Sequence, residues 1–176
     1  MDQPQLVITA PRGLSEVLTQ EFGCRTTIGV IEQLLLESRR ELLVAAPFLS
    51  AEQGFLAGEY LYTALQNTLS RRIRVEVFLS KEGAKSLRDA GIDEGKGMLR
   101  IYTPREDIAM TSALGSHAKV VIADRERAYI GSANLTNAGL TANFEMGVLI
   151  TGSSARAARS VWERLVSEGF FILAGP

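Results

Sequence analysis

Residues 117–150 read HAKVVIADRERAYIGSANLTNAGLTANFEMGVLI, and this stretch decides the fold. AKVVIAD (118–124) and RAYIG (127–131) are short apolar runs joined through Arg125–Glu126, the pattern of two adjacent strands, and FEMGVLI (144–150) is a further one. His117 and Lys119 are two residues apart, so an extended chain turns both to one face and Val120 and Ile122 to the other. The strand is expected to bury one face and to project an imidazole and an ammonium from the other. Gly131 permits a tight backbone path, and Ser132 and Asn134 add neutral hydrogen-bonding groups without bulk. Glu145 puts a carboxylate beside the last run.

Taken singly, each residue has an ordinary reading. His117 is a structural or surface histidine, Lys119 a solvated lysine, Ser132 and Asn134 turn or cap residues, Asp124 a strand-end turn residue and Glu145 a surface carboxylate. Taken together, they supply a nucleophile or acid, a cation for phosphate, neutral donors and a carboxylate able to orient histidine. Their joint spacing carries the chemistry.

Outward from this segment, helices and strands alternate. TTIGVIEQLLLES (26–38) has apolar side chains at helical spacing, with Thr26 or Thr27 as the cap. LLVAAPF (42–48) suits a buried strand ending near Pro47. Residues 55–69 read as a helix, 72–80 as a strand, 81–90 as a short helix, 98–102 as a strand and 103–116 as a loop. SARAARSVWERLVSEGF (154–170) is the last helix. Trp162, Phe170, Phe48, Phe55 and Phe78 are expected to pack helices and sheet rather than stack on bases. The order predicts an α/β fold, a mixed β-sheet flanked by helices, in one domain covering 1–176.

The composition is that of a globular chain, 46% hydrophobic and 22% charged. With 19 basic and 20 acidic residues the formal net charge is -1, so a polyanion binder must concentrate its positive charge in a cleft. Cys24 is the only cysteine, which excludes an internal disulfide and leaves a buried, incidental thiol as its expected role. The N-terminus lacks the basic start and long apolar run of a signal peptide, and the apolar stretches are too short to span a bilayer. A soluble, cytoplasmic protein without stable membrane insertion is expected.

The segment resembles the signature of the phospholipase D superfamily: His-x-Lys, four residues, Asp, then Gly-Ser-x-Asn. Here it reads H117-A-K119-VVIA-D124, followed by G131-S132-A133-N134, and the family's downstream glutamate is matched by N143-F-E145-M-G147. Only one copy of the motif is present, as in the small single-motif nuclease branch, in which two chains bring their motifs together across a two-fold axis. LLLESRRELLVAAPFLS and GSANLTNAGL also look like the phospholipase D-like component of a prokaryotic anti-phage defence system.

The resemblance implies a metal-independent, cofactor-free phosphodiesterase acting through a phosphohistidine on His117 in a homodimeric site. It assigns Lys119, Ser132 and Asn134 to the phosphate, Glu145 to orienting the imidazole, and Asp124 and Gly131 to support. DNA or RNA is the implied substrate, with other defence-system subunits as further partners. Two alternatives stay open: a phosphate-backbone-binding or regulatory subunit of low activity, and a phospholipid phosphodiesterase.

Overall fold

The computed structural model describes residues 3–47, 59–89, 91–92, 98–105 and 116–175. In chain order these form β1 (Gln5–Thr9), α1 (Leu14–Phe22), β2 (Arg25–Thr26), α2 (Thr27–Glu37), β3 (Glu41–Ala45), α3 (Glu59–Ser70), β4 (Arg74–Phe78), α4 (Lys81–Asp89), β5 (Leu99–Pro104), β6 (Lys119–Ala123), β7 (Arg127–Gly131), α5 (Asn137–Thr141), β8 (Glu145–Thr151), α6 (Gly152–Ser167) and β9 (Phe171–Leu173). The strands make one sheet in the order β2-β1-β8-β7-β6-β3-β4-β5-β9. The β1–β2, β3–β4 and β4–β5 pairs are parallel and the others antiparallel, so the sheet is mixed.

Strand parity divides the core between two layers. Leu42, Val44, Val121 and Ala123 face α2, α3 and α4, whose Ile31, Leu34, Leu65 and Leu87 complete one apolar cluster. Leu43, Ala45, Val120 and Ile122 face α6, where Trp162 packs with Phe78, Tyr102 and Phe171. Trp162 and Phe78 thus pack the fold as their sequence context suggested. Phe170 does not: it lies beyond α6, 38% exposed, and Phe171 enters the core instead. Phe48, Phe55 and most of the expected 103–116 loop lie outside the described residues.

The expectation of a strand with one buried face is corrected. β6 is buried on both, because helices cover both sides of the sheet at this point. Five further elements, β1, α1, β2, α5 and β9, were not expected. β1 and β9 are short and flank the recognisable pattern, and α5 is a brief turn of helix capped by Thr136, whose Oγ1 accepts the Gly139 amide at 3.1 Å. The expected cap on α2 is Thr26, accepting from Gly29 N at 3.4 Å.

A set of ion pairs pins α6 to the sheet. Arg159, 5% exposed, donates to Glu76 at 2.6 Å, while Glu41 on β3 is bound by Arg74 and, at 2.8 Å, by Arg125, which also reaches Glu163 on α6. The paired signs leave none of these buried groups as an isolated charge.

Candidate active site

The signature residues gather at one end of the sheet. Lys119 opens β6 and lies directly opposite Gly131 at the end of β7; Gly131 in turn pairs with Gly147 on β8, and Glu145 starts β8 opposite Thr9 on β1. Lys119, Gly131, Gly147 and Glu145 share one face by strand parity. His117 precedes β6 and is exposed, whereas Lys119 is only 4% exposed.

The Lys119 ammonium lies against the imidazole. Its Nζ is 3.0 Å from His117 Nε2 and 3.1 Å from Nδ1, and it donates to the His117 carbonyl at 3.0 Å. Burial holds the Lys119 pKa below the ordinary lysine value, and the negative charge of Glu145 offsets that in part. A half-desolvated cation beside an exposed imidazole suits a doubly charged oxyanion, because such a cation is poorly compensated by water.

Glu145 is bound within its own neighbourhood. Its Oε2 accepts from Ser132 Oγ at 2.5 Å and its Oε1 from Asn143 Nδ2 at 3.2 Å. Ser132 Oγ also accepts the Met146 amide at 3.1 Å, and Ser132 N donates to Met146 O at 3.0 Å, locking the end of β7 to β8. No hydrogen bond joins Glu145 to His117 among the described residues; the carboxylate meets the serine and asparagine instead. Asn134 is half-buried between Ala133 and Leu135, both core residues, and its Oδ1 is buried without a hydrogen bond.

Asp124 stands apart, at the far end of β6. Its Oδ1 accepts the Arg40 and Glu41 amides at 2.7 and 3.0 Å, and its Oδ2 the Arg39 amide at 2.9 Å. Burial acts most strongly on this carboxyl and would raise its pKa, but the three amides and the Arg40 charge outweigh it and hold it low. Five strand residues and the two flanking turns put it about 20 Å from His117. Asp124 thus holds the turn into β3.

Sequence reasoning missed Thr9 and Tyr129 near the site. Thr9 is 3% exposed opposite Glu145, and Tyr129 is fully buried beneath Gly131 and Gly147. The alternating VIT in QLVIT was the available signal for the first; YIG shows nothing about where the tyrosine ring goes. Among the described residues, no group of three or more His, Cys, Asp and Glu side chains is placed to hold a metal ion, and no helix is long and apolar enough to cross a membrane. Cys24 is buried and free.

Residues 31–166 match the family described as cardiolipin synthase, PLD-like domain. The chain belongs to this phospholipase D-like family. Among solved members of the fold, Nuc from Salmonella typhimurium, a phospholipase D family member, superposes with a TM-score of 0.67 at 18% identity, covering 99% of this chain and 100% of Nuc. NucT from Helicobacter pylori gives 0.67 at 12% identity, over 98% of this chain and 100% of its own. Phosphatidylserine synthase from Haemophilus influenzae Rd KW20 gives 0.69 at 15% identity, over 97% of this chain and 40% of the synthase. A curated relative, DISARM protein DrmC of Bacillus paralicheniformis, is 26% identical over 175 residues, which is 95% of this phospholipase D-like chain and 65% of the relative. The chain therefore spans about two thirds of that relative's length.

Proposed function

We propose that the chain is a metal-independent phosphodiesterase that cleaves nucleic acid in a homodimeric site, as a component of an anti-phage defence system. The observation that carries this reading is the contact between His117 and a largely buried Lys119 at the same sheet end as Ser132, Asn134 and Glu145. His117 attacks phosphorus, forming the N–P bond as the P–O bond to the leaving group breaks. His117 of the partner subunit gives its proton to the leaving oxygen. That same imidazole then takes a proton from water, whose oxygen displaces the first imidazole and regenerates both histidines. Lys119 and the Asn134 amide hold the non-bridging oxygens, where charge accumulates.

The chain has one histidine, so two chains are needed to supply both histidine roles. A surface for the second copy adjoins the site. Ile130, Val148 and Leu6 form a row across β7, β8 and β1 on the α6 side of the sheet; Ile130 and Leu6 are exposed, as are Met146 and Phe144 beside them. The Met146 amide donates to Ser132 Oγ and the Met146 carbonyl accepts from Ser132 N, which makes this apolar strip continuous with the site.

Nucleic acid is favoured over lipid by the single-motif resemblance and by the match to the whole lengths of Nuc and NucT, against less than half of the phosphatidylserine synthase. The likeness to DrmC supports the defence assignment. One observation favours the second reading, a phosphate-binding regulatory subunit: Glu145 is engaged by Ser132 and Asn143 rather than by His117.

The deciding experiment incubates purified protein, after exhaustive chelation, with short DNA, short RNA and phospholipid vesicles, with His117→Ala in parallel. Cleavage of DNA or RNA by the wild type alone is expected. Hydrolysis confined to the vesicles would reassign the substrate. Nucleic-acid binding without turnover in either protein would establish the regulatory reading.

A further inference from the structure

Beneath the site lies a tyrosine whose ring fills the space left by two glycines. Gly131 and Gly147 are direct cross-strand partners. A Cβ on Gly131 would fall 2.3 Å from the Tyr129 hydroxyl, and one on Gly147 would fall 2.6 Å from Tyr129 Cε2. The ring therefore runs along β7 from residue 129 past 131, carrying its hydroxyl to the Ser132–Asn134 turn. There the Thr27 hydroxyl, at the start of α2, and the Ala133 amide act on it.

The hydroxyl ends in a group of buried polar atoms without well-aligned partners. Tyr129 OH, Thr27 Oγ1 and Asn134 Oδ1 are all buried and form no well-aligned hydrogen bond. Burial, with the negative charge of Glu145 in addition, keeps the phenol protonated and hence a donor, against the smaller opposing effects of Thr27 and Ala133. The Asn134 oxygen is an acceptor only. The phenol thus has only poorly aligned neighbours in Thr27 and Ala133, the Asn134 oxygen next along the chain has no donor, and buried polar groups left in that state are costly.

The backbone of Asn134 is already fixed. A Cβ on Gly139 would meet the Asn134 carbonyl oxygen at 2.4 Å and its nitrogen at 3.0 Å, so α5 abuts the residue closely. Leu135 and Leu140 anchor the same turn in the core. What remains to be set is the side-chain torsion that decides which end of the amide faces the phosphate.

We infer that Tyr129 is a positioning residue: its hydroxyl donates to Asn134 Oδ1 when phosphate binds, which holds the oxygen inward and turns Nδ2 toward a non-bridging oxygen. The inference rests on the phosphodiesterase reading for its kinetic consequence, though not for the hydrogen bond itself. Phenylalanine at 129 keeps the ring over the two glycines and removes only the donor.

The test is a double-mutant cycle of Tyr129→Phe, Asn134→Ala and the pair, read as kcat on a cleavable oligonucleotide. Tyr129→Phe is expected to lower kcat by about tenfold, the scale of one neutral hydrogen bond. It should cause no loss of thermal stability, since it deletes an unmatched buried hydroxyl. In the Asn134→Ala background the same change should cost nothing. Full activity in Tyr129→Phe, or effects that multiply in the pair, would overturn the inference. A second readout does not need turnover: the Asn134 side-chain amide NMR signals are followed during titration with inorganic phosphate. A phosphate-dependent shift in the wild type that is lost in Tyr129→Phe supports the inference even if no phosphodiester is cleaved. Identical behaviour of the two proteins, with or without a shift, overturns it.

Discussion

The Arg40 amide donates to Asp124 Oδ1 across 2.7 Å, at the end of β6 remote from His117. This places a signature aspartate in the scaffold, and it sets apart a residue whose loss harms folding from those whose loss harms chemistry. Asp124→Ala removes the acceptor for three amides and leaves alanine in a left-handed conformation, φ 54°. We expect a destabilisation of about 2–4 kcal/mol, measured by denaturant unfolding. Asp124 and Glu41 both have depressed carboxyl pKa values, Glu41 because Arg74, Arg159 and Arg125 outweigh its burial. Their contribution is complete above the ordinary values of 3.8 and 4.5 and is lost as pH falls through the lower folded values. Asp124→Ala should therefore flatten the acid limb of the stability curve as well as lower its plateau.

Lys119 should set the alkaline limit of activity. Burial lowers its pKa, so the loss of cationic charge begins below the ordinary 10.5, and turnover should fall there. Lys119→Arg should move that limb to higher pH at reduced kcat, since guanidinium keeps its charge but has another shape. Glu145→Gln should move it lower, because the carboxylate is what raises the lysine. Lys119→Ala should lose about 100- to 1,000-fold in kcat. An unchanged limb in all three proteins would remove Lys119 from the phosphate site.

Gly147→Ala tests the close packing of β7 against β8. The added methyl would meet Tyr129 Cε2 at 2.6 Å and the Ile130 carbonyl oxygen at 2.8 Å, and the second of these is backbone that cannot step aside. A stability loss of about 1–3 kcal/mol is expected, together with lower activity, because the displaced strand carries Glu145. Thermal melting and the cleavage rate measure the two effects.

Trapping should find the covalent intermediate on His117. Alkaline quenching during turnover preserves a phosphoramidate, and peptide mass spectrometry then locates the phosphoryl group. An adduct found reproducibly on Ser132 would contradict the assignment, since that hydroxyl is engaged by Glu145 and the Met146 amide.

Mixing wild-type and His117→Ala chains tests the composite site. With verified exchange and random pairing, multiple-turnover activity should follow the square of the wild-type fraction, about one quarter at equal amounts. A self-sufficient chain would give about one half.

Much of this architecture was legible in the primary structure because β3, β4, β6 and β7 are short apolar runs with clear punctuation. His117, Lys119 and Asn134 announced themselves by spacing. The amides of residues 39–41 that Asp124 binds, and the capture of Glu145 by Ser132, were not legible. Both depend on cross-strand register and on turns distant in sequence, which local periodicity does not encode. β1 was missed for a related reason: five residues carry little periodic signal, and what makes them a strand is the open edge of β8.

That position of β1 bears on how the protein should be cut. The family match begins at residue 31 and ends at 166, inside α6. Excising that span would remove β1, which covers β8 opposite Glu145 and Gly147, and β9, which covers β5. Both bared strands would present rows of unsatisfied amides and carbonyls to any other chain, an invitation to edge-to-edge aggregation. An excised fragment that retains residues 5–173 keeps both of these strands covered.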